Sequence, residues 1–229
     1  MAPADAQAGT AGNVIDARTF TVGPLQENCY VVRRPHASTA VIVDPGDEAD
    51  RILGALRALN VDAVEAILLM HCHFDHIGAV APVARATGAQ VYCPELETQV
   101  LADIMAYVPW AEFGPFESYD ADHTVRGGEA LELAGLEFHV DFVPGHSPGH
   151  VSYAAPEDGA IFSGDVLFQG SVGRVDLPGG DWPTLLSSIE LLLGAYAPET
   201  TVYPGHMGVT TLGAERATNP FLRELAHNR

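Results

Sequence analysis

His71-Cys72-His73-Phe74-Asp75-His76 is the stretch on which the reading of this 229-residue chain turns. Three imidazoles and a carboxylate crowd into it, an arrangement that should arise by chance in roughly one chain per thousand. Imidazole nitrogens and carboxylate oxygens are the ligands that zinc-like ions prefer, so four of them this close together can serve two adjacent cations. Residues 64–70, immediately before, form an apolar run that reads as a buried strand, which puts the cluster at a strand's C-terminal end.

Working outward, residues 19–22, 30–33 and 40–43 are β-rich runs separated by Gly23-Pro24 and Arg34-Pro35, and they predict a strand meander. Asp44-Pro45-Gly46-Asp47 then punctuates, with Asp44 read as a turn residue or a support behind the ligands. Residues 48–59 carry Ile52, Leu53, Leu56 and Leu59 at helical spacing. Beyond the cluster, residues 77–87 predict a helix closed by Gly88, 90–92 a strand, and 95–107 a helix stopped before Pro109. Residues 108–128 predict a long loop holding Trp110, Phe113, Phe116 and Tyr119, which either covers a site or packs its own aromatics at the surface. Strands resume at 131–133, 136–142, 151–154 and 160–162, followed by a helix at 182–193 and a strand at 201–203. The two halves repeat one order, a meander feeding βα units. The expected fold is therefore α/β, two mixed sheets packed face to face with helices outside, in one domain over residues 14–229.

Composition narrows the function. Thirty acidic residues face eleven basic ones, all arginine, for a formal net charge of −19. A nucleic-acid partner is disfavoured, because such binders need clustered cations. Cys29, Cys72 and Cys93 include no C-x-x-C pair, which suggests neither a disulfide framework nor a thiolate zinc knuckle and fits a reducing compartment. Residues 1–13 are rich in Ala and Gly, lack the basic and apolar regions of a signal peptide, and read as a disordered tail. No apolar stretch reaches the roughly 18 to 20 residues that a membrane span requires. The expectation is a cytoplasmic protein with a small-molecule substrate and neither a nucleic-acid nor a membrane partner.

Three further clusters each follow a predicted strand: Pro144-Gly145-His146-Ser147-Pro148-Gly149-His150, then Ser163-Gly164-Asp165, then Pro204-Gly205-His206. Glycine beside a potential ligand permits the tight turn that aims a side chain into a shared cleft. Within the first, Gly145-His146-Ser147-Pro148-Gly149 also fits the G-x-S-x-G elbow of serine hydrolases. That elbow needs a helix after the serine and an N–H on the next residue, whereas Pro148 has no N–H and a strand follows. Ser147 is therefore not expected to act as a nucleophile.

The set HCHFDH, PGHSPGH, SGDVLF and YPGH resembles the metallo-β-lactamase superfamily, whose fold is an αββα sandwich, over residues 18–222. Gly164-Asp165-Val166-Leu167-Phe168 with Val172-Gly173-Arg174, and later Thr211-Leu212-Gly213-Ala214-Glu215-Arg216 with Asn219-Pro220, resembles the short glyoxalase II-like hydrolases more narrowly. The resemblance implies two divalent ions, Zn²⁺ first and Fe or Mn as alternatives. His71, His73 and His146 would hold one, Asp75, His76 and His206 the other, and Asp165 would bridge them. His150 is expected to support the His146 loop.

It also implies a thioesterase acting on an acylglutathione or related thioester, by attack of a metal-bridging hydroxide that Asp75 helps orient. Arg174 is expected either to contact the thiol's carboxylate or to pair with Asp176. Departures from the glyoxalase II pattern are Met207-Gly208 where a Glu-Tyr pair is usual, Met70 for a hydroxyl residue, and Cys72 for a small one, and with Arg229 the last residue the thiol-binding helical domain of longer members is not expected. Met70 and Cys72 are expected to face away from the ions. A persulfide dioxygenase with a single iron shares the His-x-His-x-Asp-His pattern, but favours Cys at position 150 and Ala at 205, where this chain has His150 and Gly205. Lactone or β-lactam hydrolysis would use the same residues, and a metal-binding scaffold without hydrolytic activity is the alternative of another class.

Overall fold

The computed structural model describes residues 15–222. The tail read at residues 1–13 lies outside them. Two six-stranded sheets dominate. The first runs in chain order through β1 (Asp16–Val22), β2 (Glu27–Arg33), β3 (Thr39–Val43), β4 (Ala63–Leu68), β5 (Gln90–Pro94) and β6 (His123–Val125). Its first three strands are antiparallel and the rest run parallel from β3 onward. The parallel part is built on α1 (Ala49–Ala58), α2 (Phe74–Ile77), α3 (Val80–Thr87) and α4 (Thr98–Ala102) as crossover helices.

The second sheet contains β7 (Ala130–Leu133), β8 (Leu136–Phe142), β9 (Val151–Ala155) and β10 (Ala160–Gly164), all antiparallel neighbours. A small hairpin of β11 (Leu167–Phe168) and β12 (Ser171–Val172) and the helix α5 (Trp182–Ala195) lead to β13 (Thr201–Pro204), parallel to β10. Strand β14 (Thr210–Thr211) closes that edge, and α6 (Leu212–Thr218) follows.

Side chains alternate across each strand, so every central strand feeds two apolar layers. Tyr30, Val32, Val41, Val43, Ala66 and Leu68 meet Phe138, Val140, Tyr153 and Phe162 between the sheets. On their other faces Val31, Ile42 and Ile67 pack on Ile52 and Leu56 of α1 and Val80 and Val83 of α3. Ala154, Ile161 and Val202 likewise pack on Leu185, Ile189 and Leu192 of α5. This is the expected αββα sandwich. Two tyrosines bolt its halves together: Tyr153 Oη donates to Leu69 O at 3.1 Å, and Tyr30 Oη to Pro204 O at 2.6 Å.

Three expected elements differ. The helix predicted at 77–87 is split into α2 and α3, because the Ala79 N–H donates to Pro45 O at 3.0 Å instead of continuing a helical ladder. The helix predicted at 95–107 is a 3₁₀ turn (Glu95–Glu97), then α4, then a second 3₁₀ turn (Ile104–Ala106), with Asp103 between them at φ −145°, ψ 60°. The long loop contains β6, and its aromatics lie over the histidine cluster: Phe113, Phe116 and Trp110 surround Phe74 with ring centroids 4.9, 5.9 and 6.1 Å away.

Candidate metal centre

All four clusters meet at one edge of the sandwich, at the C-terminal ends of β4, β10 and β13 and the turn between β8 and β9. The sheets are stitched there by Val151 N–H to Met70 O at 2.9 Å and Asn28 N–H to Gly205 O at 2.8 Å. His71 follows β4, and His73 stands at the N-terminus of α2, whose single turn carries Asp75 and His76. His146 lies between β8 and β9, Asp165 directly after β10, and His206 after β13.

The seven side chains converge as two groups of three with one carboxylate between. His73 Nδ1 lies 3.0 Å from His71 Nε2 and 2.8 Å from His146 Nε2. His206 Nε2 and His76 Nε2 lie 3.4 and 3.9 Å from Asp75 Oδ2. Both trios bring their donor atoms within 4.8 Å of one another. Asp165 faces both: Oδ2 is 3.4 Å from His146 Nε2 and 3.6 Å from His206 Nε2, and Oδ1 is 3.4 Å from His76 Nε2.

These groups fit cations by their own chemistry. Three ring nitrogens facing one another at 2.8–3.0 Å present lone pairs that need a shared positive charge. Buried His76 Nε2 and Asp165 Oδ1 have no hydrogen-bond partner, which in a buried polar atom calls for an explanation such as an ion. The tautomers are set from behind. His76 Nδ1–H donates to Asp44 Oδ2 at 2.7 Å, and His146 Nδ1–H to the Arg174 carbonyl at 2.7 Å, so each ring turns its Nε2 into the cluster. Asp44, wholly buried, also accepts the Met70 N–H at 2.8 Å and so supports the ligand loop from below.

Protonation follows. Burial pushes the pKa of His71 well down, and that of His73 down to about 4, so both rings are neutral as metal binding requires. Burial opposes charge on His76, but Asp165, Asp75 and Asp44 outweigh it and hold a proton there that a cation would replace. Burial also works against the Asp165 carboxylate, yet His76 and His146 beside it keep it below the usual carboxylate range. Asp75 is kept low against burial by His76 and His206. Glu27, buried 3.8 Å from His76 Nδ1 with neither oxygen in a hydrogen bond, has its pKa pushed up by burial.

Two glycines allow the packing. A methyl on Gly46 would stand 1.7 Å from the Asp75 carbonyl, and one on Gly173 1.8 Å from the Asp165 carbonyl, so only glycine lets these loops pass the ligand backbone.

Met70 and Cys72 face away as expected. Met70 is in the inter-sheet core, and Cys72 is in the outer core with its Sγ 3.5 Å from Cys93 Sγ. His150 packs edge-on against His146 with ring centroids 6.1 Å apart, and it does more than expected: its Nε2 accepts the Asp165 N–H at 3.0 Å and its ring stacks on His71, so it steadies Asp165 as well. Ser147 is committed, donating its hydroxyl to Glu97 Oε1 at 2.7 Å. Arg174 lies on the cavity beside the cluster, and its guanidinium holds Asp176 with two bonds of 2.6 and 2.7 Å.

Sequence reading missed Glu97. Its carboxylate accepts the Cys72 N–H at 3.2 Å, the Ser147 hydroxyl and the Gly149 N–H at 2.8 Å, tying the His71–His76 loop to the His146 loop. It also missed Asn28, whose side-chain amide donates to Pro204 O and Met207 O at 3.1 and 2.9 Å and so fixes the His206 turn.

Residues 22–206 match the family model described as the Metallo-beta-lactamase superfamily. The chain is 34% identical over 214 residues to a protein of Haemophilus influenzae named hydroxyacylglutathione hydrolase GloC, covering 88% of this chain and 95% of that one. The solved structure of the BLEG-1 B3 metallo-beta-lactamase is similar with a TM-score of 0.85 at 39% identity, over 90% of this chain and 99% of its own. That of TTHA1623 in a di-iron-bound form is similar with a TM-score of 0.78 at 43% identity, over 90% and 100%.

Proposed function

Because the chain belongs to the metallo-beta-lactamase superfamily, and so is a metal-dependent hydrolase, we propose that it is a dinuclear thioesterase cleaving an acylglutathione or a related thioester. The observation that carries this reading is Asp165, whose two oxygens lie 3.4–3.6 Å from nitrogens of both trios. His71, His73 and His146 would hold one divalent ion, Asp75, His76 and His206 the other, with Asp165 shared. When bound, the pair acidifies a water and polarises the carbonyl under attack.

The chain's own residues supply the rest. Asp44 and the Arg174 carbonyl take the Nδ1 protons of His76 and His146, so that Nε2 is the nitrogen each ring would give to an ion. The Asp75 carboxylate, partly exposed beside His206, accepts a hydrogen bond from the attacking water and orients it. Phe74 and the Trp110 loop keep bulk water from one side of the centre. Resemblance to GloC supports the thioester, and the two trios support a pair of ions, zinc before iron, with TTHA1623 the reason iron is a serious competitor.

The test is metal analysis of protein purified without added metal, paired with thioester hydrolysis by the wild type and Asp165→Asn. Two ions per chain and a loss of at least 10²-fold in kcat on substitution are expected. A single iron with oxygen uptake from glutathione persulfide would transfer the site to dioxygenase chemistry.

A further inference from the structure

The centre opens into a cavity of about 580 Å³ whose walls are mostly apolar. Leu25, Leu96, Tyr107, Trp110 and Met207 ring its mouth, and all five are exposed large hydrophobic side chains, from 39% exposed for Leu25 and Trp110 to 64% for Leu96. Exposed apolar side chains gathered at one place, rather than scattered, mark a binding surface. Deeper in, Phe74, Ile104 and Phe168 continue the apolar wall down to Asp75 and Asp165.

Charge points the same way. Among the described residues Arg174 is the one arginine lining the cavity, and both edges of its guanidinium used in bonding are taken by Asp176. Glu97, Asp75 and Asp165 line it as well, in a chain of net charge −19. A glutathione arm carries two carboxylates and one ammonium, and beyond the histidines of the centre the cavity offers those carboxylates only Arg174, which already holds Asp176.

We infer that the site selects thioesters whose thiol arm is uncharged and bulky, an aromatic or branched aliphatic group seated among Leu25, Leu96, Trp110 and Met207, in preference to glutathione esters. This rests on the thioesterase reading above. In the reaction water adds its oxygen to the acyl carbon, the C–S bond breaks, and the thiol leaves with a proton, giving one carboxylic acid and one neutral thiol. Nothing is oxidised or reduced.

The holoenzyme is assayed on S-benzyl thioacetate and S-acetylglutathione, each rate normalised to that ester's hydrolysis by hydroxide, at an ionic strength of about 0.15 M where surface charge is partly screened. A kcat/KM at least tenfold higher for the benzyl ester is expected, carried mainly by KM, and Leu96→Arg, at an exposed position, should shrink that gap at least threefold. Independently of turnover, the neutral fluorophore N-phenyl-1-naphthylamine should bind the apoprotein and the holoprotein, be displaced by benzyl methyl sulfide but not by S-methylglutathione, and bind at least fivefold more weakly to Trp110→Ala. A tenfold preference for the glutathione ester, or fluorophore binding insensitive to both substitutions, overturns the inference while leaving a thioesterase. Hydrolysis of neither ester with fluorophore binding as stated overturns the thioesterase and keeps the apolar site. A dimer in sedimentation that Leu96→Arg dissociates would assign the rim to a second copy of the chain.

Discussion

Glu97 holds no ligand position, yet its side chain joins two ligand loops. Its Oε1 accepts from Ser147 and Gly149 and its Oε2 from Cys72. Glu97→Ala leaves three buried donors without that acceptor, at a cost of about 2–4 kcal/mol in unfolding free energy, and outer partners of this kind are worth about 10–100-fold in metal affinity. Denaturant melts and chelator competition on the holoprotein measure both, and an unchanged metal affinity would contradict the tethering role. Glu97→Gln, which keeps one oxygen for Ser147 and Gly149 but turns an amide toward the Cys72 N–H, should be milder. The seven converging residues were legible in sequence because ligand chemistry imposes short spacing and neighbouring glycines. Glu97 was not, since a single glutamate in a helix-like stretch has no spacing to betray it. Asn28 was hidden for the same reason.

At the level of elements, α5 steadies the His146 turn from outside. Ser188 Oγ donates to Pro144 O at 2.7 Å, and the Asp181 N–H to Gly145 O at 2.8 Å. Asp181 also caps the helix, accepting the Thr184 N–H at 2.9 Å, and the Thr184 hydroxyl and N–H hold its carboxyl below the usual carboxylate range. A depressed folded pKa contributes stability that is fully present above the ordinary carboxylate pKa of about 4 and is lost as pH falls through the folded value. Asp181→Ala should therefore lower Tm at pH 7, and the difference from wild type should narrow steadily below about pH 4; a pH-independent difference would rule the ionised cap out. This helix was legible because its apolar spacing and its Asp-Trp-Pro start agree. The broken helices near the site were not, because what interrupts them is tertiary: Pro45 O capturing the Ala79 N–H, and Glu97 turned inward to the ligand loops.

Across the whole molecule, strand ends from both sheets carry the centre, so each half of the sandwich contributes ligands that the other completes. Removing bound cations would leave Asp75 and Asp165 facing each other's charge with only histidine protons between them. A ligand that binds the folded chain alone stabilises it by about 4 kcal/mol per site at a thousandfold excess over Kd. Chelation should accordingly lower Tm, by about 8–16 °C for each site emptied as ΔΔG scales in a chain of this size, and re-addition of two equivalents of metal should restore it; an unchanged Tm would mean that the ions add nothing to the fold. The layered architecture was readable from the order of the elements, a meander feeding βα units in each half, because the central strands carry near-continuous apolar runs that only a sheet covered on both faces can bury. Where the aromatics of the 108–128 loop settle was not, since only the assembled fold offers them Phe74. The two 3₁₀ turns and the helix α4 between them, which carry Leu96, Glu97, Val100 and Ile104, present apolar side chains to the cavity while Glu97 reaches behind to the ligand loops. Whatever fills the cavity thus braces the same segment that must loosen before an ion can escape, and by reciprocity a guest should raise the affinity for metal, measured against a chelator at equilibrium, by the factor by which metal strengthens the hold on the guest.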